Sequence, residues 1–236
     1  MRNEGVDIMR AKPLLWGTAI ALAVGSTAAL ANVVVVKSFG PSAKAYPPGR
    51  TLPGTARIKL QGGDVVTILG PGSAQTLRGP GSFETAQIGL DSAASQRGRF
   101  GALRTASIAH SPSVWDIDVT QSGKVCVVGA KKLQLWRPES DVAESIEIRS
   151  SDGTTQKLSW IKGKALTAWP AALPIKSGDT YEIVSSARPD KSKLEVSTLS
   201  AAPADQLETA QVLIQNGCQN QLDLLVAQAS RTGAAK

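Results

Sequence analysis

Apolar positions change their rhythm along the chain, and each rhythm predicts a different element. An uncharged run, "LLWGTAIALAVGSTAALA", is followed by "NVVVVKSFG", four valines in succession closed by Gly40 and Pro41. A β-branched run bounded by Gly and Pro predicts a strand. "ARIKLQ", "DVVTILG" and "AQTLRG" come next, each short and each bounded by Gly or Pro. They predict consecutive antiparallel strands, with "QGGD" as a tight hairpin turn and the repeated "GPG" as two turns of one backbone shape. From Trp115 the rhythm becomes alternation: Trp115, Ile117 and Val119 interleave with Asp116, Asp118 and Thr120. That is the mark of a strand with one face buried. "KVCVVG", "KLQLW", "SIEIRSS", "TTQKLSW", "DTYEIVSS" and "KLEVSTL" continue it, with turns at Ser122-Gly123, Asp152-Gly153 and Ser177-Gly178. Strands at this spacing predict an immunoglobulin-like β-sandwich.

After Ala204 the period lengthens. Leu207, Ala210, Ile214, Cys218, Leu222 and Leu225 recur every three or four residues, and Asp205 and Glu208 match an acidic capping box. An amphipathic helix follows, either continuous or split in two by Gly217, since Gly is the usual stop just past a helix end. Its apolar face should dock on the sandwich. The chain therefore reads as mainly β: a small β module over 32–90, a linker over 91–113, the sandwich over 114–200, a helical segment over 201–229 and a frayed end over 230–236.

The turn pattern of the first module carries a resemblance. "ARIKLQGGDVVTILGPGSAQTLRGPGSFE" resembles a FecR-type periplasmic domain, in which a strand, a Gly-Asp turn, a strand and a Gly-rich turn repeat. FecR proteins proper also carry a cytoplasmic anti-sigma segment and one membrane span. This sequence shows neither, so the resemblance implies a β domain and not signalling to a sigma factor.

Residues 1–31 read as a secretory signal, with Arg10 and Lys12 ahead of the apolar run and Ala29 and Ala31 framing an A-x-A cleavage site. The alternative is an uncleaved anchor, for which an apolar run of about 18 residues dotted with Gly, Ser and Thr is marginal. Cleavage after Ala31 leaves no membrane span and predicts a periplasmic protein. Cys126 and Cys218 are the only cysteines, and an even count in an oxidising compartment predicts a disulfide between them, with buried free thiols as the alternative.

Charge refines this picture. The formal net charge is +7, and the excess is concentrated ahead of Thr105. Lys37, Lys44, Arg50, Arg57, Lys59, Arg78, Arg97, Arg99 and Arg104 form a candidate patch, with Arg57, Lys59, Arg78, Arg97, Arg99 and Arg104 as the anion-binding set. Its counterpart would be lipid head groups or an acidic envelope polymer, and a plain solvated basic surface is the alternative. Nucleic acid is excluded by the expected compartment and by the scarcity of aromatic side chains for base stacking.

Catalytic chemistry finds little purchase. One histidine, His110, rules out an H-E-x-x-H zinc site and any multi-histidine metal cluster. A Ser-His-Asp set from His110 with Ser107 or Ser111 and Asp116 is close in sequence, which is not the geometry that chemistry needs. "SWIK" spells S-x-x-K and "KSG" resembles K-T-G, yet "SWIK" falls in a strand-turn context and no S-x-N element occurs. Trp115, Trp136, Trp160 and Trp169 are expected as core residues, with a carbohydrate groove as the alternative. No enzyme activity, metal or cofactor is expected. The function predicted is that of a non-catalytic binding or sensing scaffold in the cell envelope, with an envelope protein or polymer as its partner; the alternatives are a polyanion-binding protein acting through the basic first module and an unrecognised hydrolase using His110.

Overall fold

The computed structural model describes residues 31–88, 110–129 and 132–234. The apolar run of residues 14–30, most of the linker, and with it Arg97, Arg99, Arg104 and Ser107, lie outside the described residues. The fold is mainly β, with several sheets and two C-terminal helices.

The first module holds β1 (Val33–Phe39), β2 (Thr51–Leu52), β3 (Arg57–Leu60), β4 (Val65–Gly70), β5 (Ser73–Arg78) and β6 (Gly81–Glu84). β2, β1, β4 and β5 form an antiparallel sheet in that order, and β3 pairs with β6 alone. The sequence expectation of consecutive hairpins fails here, because β3 and β4 never pair. "QGGD" does make a turn, closed by the Asp64 N–H on the Gln61 carbonyl at 3.2 Å, but it joins strands of two different sheets. The two "GPG" turns also differ. In the β4–β5 hairpin Gly72 takes φ 66°, as the third residue of a Pro-Gly turn requires. In the second, the Gly79-Pro80 bond is cis, and a Cβ on Gly79 would lie 1.9 Å from the Gln61 carbonyl oxygen. Glycine is needed there for space, and at Gly72 for its backbone angle.

The four valines of β1 are all buried because both faces of the strand are covered. Val33 and Val35 join Ile58, Val66, Ile68 and Leu77 in the module's own core. Val36 lies in a different cluster, with Leu69 and the C-terminal helices. A strand covered on two sides loses its alternation, which is why this one reads as a continuous apolar run.

The second module is a two-sheet sandwich. β7 (Ile117–Asp118), β8 (Gly123–Val128), β9 (Gln134–Trp136), β10 (Glu144–Ser150), β11 (Thr155–Trp160), β12 (Leu166–Ala168), β13 (Thr180–Ser185) and β14 (Lys191–Leu199) supply its strands. One sheet runs β11-β10-β13-β14-β8, the last pair parallel, and the other β12-β9-β7. Inward residues of both sheets, among them Ile117, Leu135, Ile146, Ile148, Ile183 and Leu194, make one hydrophobic core. Trp136, Trp160 and Trp169 are buried in the sandwich, so these indoles are core and line no groove. Trp115 is half-buried against the helices. The Tyr181 phenol, pushed up to about 12 by burial and then by the Asp179 charge, donates to the Pro174 carbonyl at 2.7 Å.

Two helices complete the chain, α1 (Gln206–Asn216) and α2 (Gln219–Ala234). Asp205 caps α1 by accepting the Glu208 N–H at 2.8 Å, and Glu208 reaches back to the Ala204 N–H. Gly217, at φ 72°, ends it, with the Gly217 N–H on the Ile214 carbonyl and the Cys218 N–H on the Leu213 carbonyl. This is the Schellman closure that an αL glycine permits. The helices do more than dock on the sandwich. Ala210, Leu213, Leu222 and Leu225 share a core with Val36 and Leu69 of the first module and with Val114 and Cys126 of the second. They fill the seam between the two.

Candidate functional site

The seam is held by a disulfide and by side-chain amides. Cys126 and Cys218 are bonded, with Cα atoms 5.8 Å apart and both residues fully buried. One turn beyond Cys218, Gln221 accepts the Cys126 N–H at 2.6 Å and donates to the Cys126 carbonyl at 2.9 Å and the Val114 carbonyl at 2.7 Å. Among the described residues β8 pairs with β14 on one side only, and Gln221 satisfies the backbone of Cys126 on the other side as a neighbouring strand would. Other contacts reach both ways. Gln206 accepts the Gly72 N–H, Gln211 donates to the Thr51 hydroxyl, and Lys37 pairs with Asp223 at 2.7 Å. On the sandwich side, Ser197 donates to Asn216, and Asn220 donates to the Ser122 carbonyl.

Beside this seam a cleft of about 240 Å³ opens between α2 and the chain from His110 to Gln121. Leu224 and Ala227 of α2 line it on the helix side, while Ile117 and Val125, which also border it, are buried in the sandwich core. Asp116 and Asp118, two residues apart, also line it. Ser111, itself buried, donates to Asp116 Oδ2 at 2.7 Å, and Asp118 Oδ1 accepts from both the N–H and the hydroxyl of Thr120. Each aspartate therefore has one oxygen anchored.

His110, Ser111 and Asp116 do meet in this cleft, but in the wrong order for a triad. A nucleophilic serine gives its proton to the imidazole, which the carboxylate orients from the far side. Here the Ser111 hydroxyl faces the carboxylate directly and also lies 3.0 Å from the Ser113 carbonyl, and His110 bonds to neither side chain. Ser159 of "SWIK" sits on a strand, with its hydroxyl 2.9 Å from that of Ser145 on the next strand.

Of the basic set, Arg57 and Lys59 lie on one exposed face of β3, and Arg57 pairs with Glu84. Arg78 lies on β5 in the other sheet. Tyr46 touches two basic residues: its hydroxyl accepts the Lys59 backbone N–H at 3.0 Å, and the Arg50 guanidinium stands 5.9 Å from its ring centroid, with Lys44 two residues before it in the chain. Lys44, Arg50, Lys59 and Arg78 have no ion pair among the described residues.

A buried charge cluster closes one end of the sandwich. The Arg137 guanidinium, with no exposed surface, bonds Glu144 at 3.3 Å and the carbonyls of Lys164 and Ile161, and Arg188 pairs with the same carboxylate. Sequence reading missed Gln221, Asp223 and this cluster. For Gln221 a signal existed, since it falls on the buried helical face three residues after Cys218. For Arg137 and Glu144 none did, because burial of a charge leaves no trace in a residue pattern.

No family model, no curated protein and no solved structure matches the chain.

Proposed function

We propose that this chain is a non-catalytic exported scaffold of the bacterial cell envelope, periplasmic after cleavage of its signal, in which a FecR-like β module and a β-sandwich act as one binding or sensing body. One observation carries the reading: the C-terminal helices, with the Cys126–Cys218 disulfide, fill the seam between the two β modules. A disulfide persists in oxidising compartments, and a fixed relation between modules is what a binding surface spanning both requires. Among the described residues no helix is long and apolar enough to cross a membrane. The test is capture from envelope extract with the oxidised protein, after fractionation and intact-mass measurement. The reading expects a periplasmic chain that starts after Ala31, contains no free thiol and retains an envelope partner. A cytoplasmic pool of reduced protein would overturn it.

A second reading has its own support. The grouping of Lys44, Arg50 and Lys59 around Tyr46 favours attraction of an acidic envelope polymer or anionic lipid by the first module. Salt-dependent retention on anionic vesicles or acidic polysaccharide should fall when these three cations become Ala and stay unchanged when Lys157 and Lys191 do. Equal loss in both variants would reduce the effect to net charge.

A further inference from the structure

Large apolar side chains that stand exposed among the described residues gather at one end of the sandwich: Ile161 is 68% exposed and Val142 49%, and Leu166, also exposed, opens β12 just beyond Ile161. Phe39, in the first module, is the exception. This end belongs to β11, the edge strand farthest from β8, so it lies away from the helices and the seam. The tip itself is firmly held. Residues 161–164 make a turn closed by the Lys164 N–H on the Ile161 carbonyl at 3.2 Å, with Gly163 at φ 84°. The buried Arg137 guanidinium donates to the same Ile161 carbonyl at 3.2 Å and to the Lys164 carbonyl at 3.1 Å, and the Gly163 N–H donates to the Ser140 carbonyl of the facing loop at 2.6 Å. A buried ion pair contributes little net stability. Here it fixes the backbone that carries an exposed apolar side chain, which lowers the ordering cost of a contact made there.

The charges around the tip identify what it meets. Lys162 and Lys164 stand on the turn, and Glu139 and Asp141 on the facing loop; all four are exposed, and none has an ion pair among the described residues. An anionic bilayer or an acidic polymer would meet Glu139 and Asp141 beside the lysines and be repelled by them. A surface with two cations next to two anions is matched by the same surface turned around. We propose that this end of the sandwich is the contact face of a symmetric dimer, its partner a second copy of this chain. A two-fold axis near Ile161 sets the lysine turn of each copy against the acidic loop of the other, so a single patch supplies both halves of the charge pairing. Ile161, Val142 and Leu166 form the apolar centre that the pairing encloses, and the four charges form its polar rim.

Sedimentation velocity of the oxidised protein over a concentration series tests this. A reversible monomer–dimer equilibrium is expected, weakened by salt because rim charges contribute to it. Ile161→Glu should raise the dissociation constant about tenfold or more, as loss of a central apolar anchor does. Phe39→Glu, at the exposed aromatic of the first module, should leave it unchanged. The charge register has its own test. Lys162→Glu/Lys164→Glu and Glu139→Lys/Asp141→Lys should each abolish the dimer, since like charges then face one another, and the fourfold exchange that carries both pairs should restore it at the native net charge. Every substituted side chain is exposed, so the core of each variant is unaltered. A protein that is monomeric up to about 1 mM, a dimer that survives Ile161→Glu or is lost in Phe39→Glu, or a fourfold exchange that stays monomeric would overturn the proposal. So would a monomer that sediments with phosphatidylcholine vesicles through Ile161, a result that would assign the tip to a bilayer.

Discussion

The sandwich interior and the seam between the modules are built on opposite principles. The sandwich core is aliphatic and aromatic, drawn from alternating strands, and its charged component is confined to one cluster around Arg137 and Glu144. The seam has aliphatic residues too, but it adds a disulfide, the Gln221 clamp and amide contacts to both modules. A sheet face meets another sheet face without leaving backbone groups unpaired. A helix laid against the open edge of β8 leaves them exposed, and side-chain amides are the uncharged groups that offer a donor and an acceptor together. The difference teaches that the helices are a joint, specified by polar pairing as much as by burial.

The largest test separates the joint from what it joins. Replacing Cys126 and Cys218 together by Ser should remove up to about 4 to 5 kcal/mol, the chain-entropy value for so long a loop. The loss should appear first in the seam, as faster hydrogen exchange over Leu207–Leu225, with the sandwich strands protected until global unfolding. Uniformly faster exchange in both regions would mean that seam and sandwich are one cooperative unit.

The reciprocal test strikes the sandwich. Glu144→Ala leaves the fully buried Arg137 without its counter-charge and should cost about 3 to 5 kcal/mol, read as a lower denaturant midpoint. Replacing Arg137 by Met and Glu144 by Leu together should recover most of the loss, since no charge then remains in that pocket beyond Arg188. Failure to recover would assign the cluster's role to its hydrogen bonds with the Lys164 and Ile161 carbonyls.

A smaller effect is expected at Gln221→Ala. Two backbone groups of Cys126 lose their partner in a buried place, a penalty of about 1 to 3 kcal/mol for the buried polar groups left unpaired. Gln221→Glu is the sharper variant: it keeps an acceptor for the Cys126 N–H and places a carboxylate oxygen against two carbonyls, so it should be worse than Ala. Equal stability of the two variants, in a thermal melt, would show that water reaches the β8 edge.

How far these regions were legible in the sequence follows from the same physics. The sandwich strands announced themselves because one buried face imposes a period of two, and α1 did so through Asp205, Glu208 and Gly217 at its two ends. Local signals of this kind fix where an element starts and stops. They do not say which strand it meets, and so "QGGD" suggested a β3–β4 hairpin although β3 pairs with β6. What decides that pairing includes the close approach of Gly79 to the Gln61 carbonyl, a contact between residues 18 apart. The joint was half legible: the apolar helical face was visible, while its second partner, the outer side of β1 and β4, was hidden in an unbroken run of valines. The carboxylates of the cleft were visible only as the polar half of an alternating strand.

The subtlest expected effect concerns Asp64, which sits where the first module's two sheets meet. Its residue is buried, and desolvation alone would push its carboxyl up. Ser42 and Gln61 oppose this: the Ser42 N–H lies 2.9 Å from Oδ1 and the Gln61 N–H 2.6 Å from Oδ2, and with the Ser42 side chain they hold the carboxyl below its ordinary value of 3.8. A carboxyl depressed in the folded state contributes stability that is complete above the unfolded value and is lost as pH falls through the folded one. The contribution of Asp64 to the first module should therefore be complete from neutrality down to that ordinary value and be lost only in stronger acid. Asp64→Asn replaces one acceptor oxygen by a donor facing an N–H, so it should be less stable than the native chain at neutral pH and lose less on acidification. Carbon-detected NMR titration of the Asp64 carboxyl gives the direct reading. A midpoint at or above 3.8 would show that desolvation outweighs the two N–H contacts, and the acid sensitivity of the module would then have to come from elsewhere.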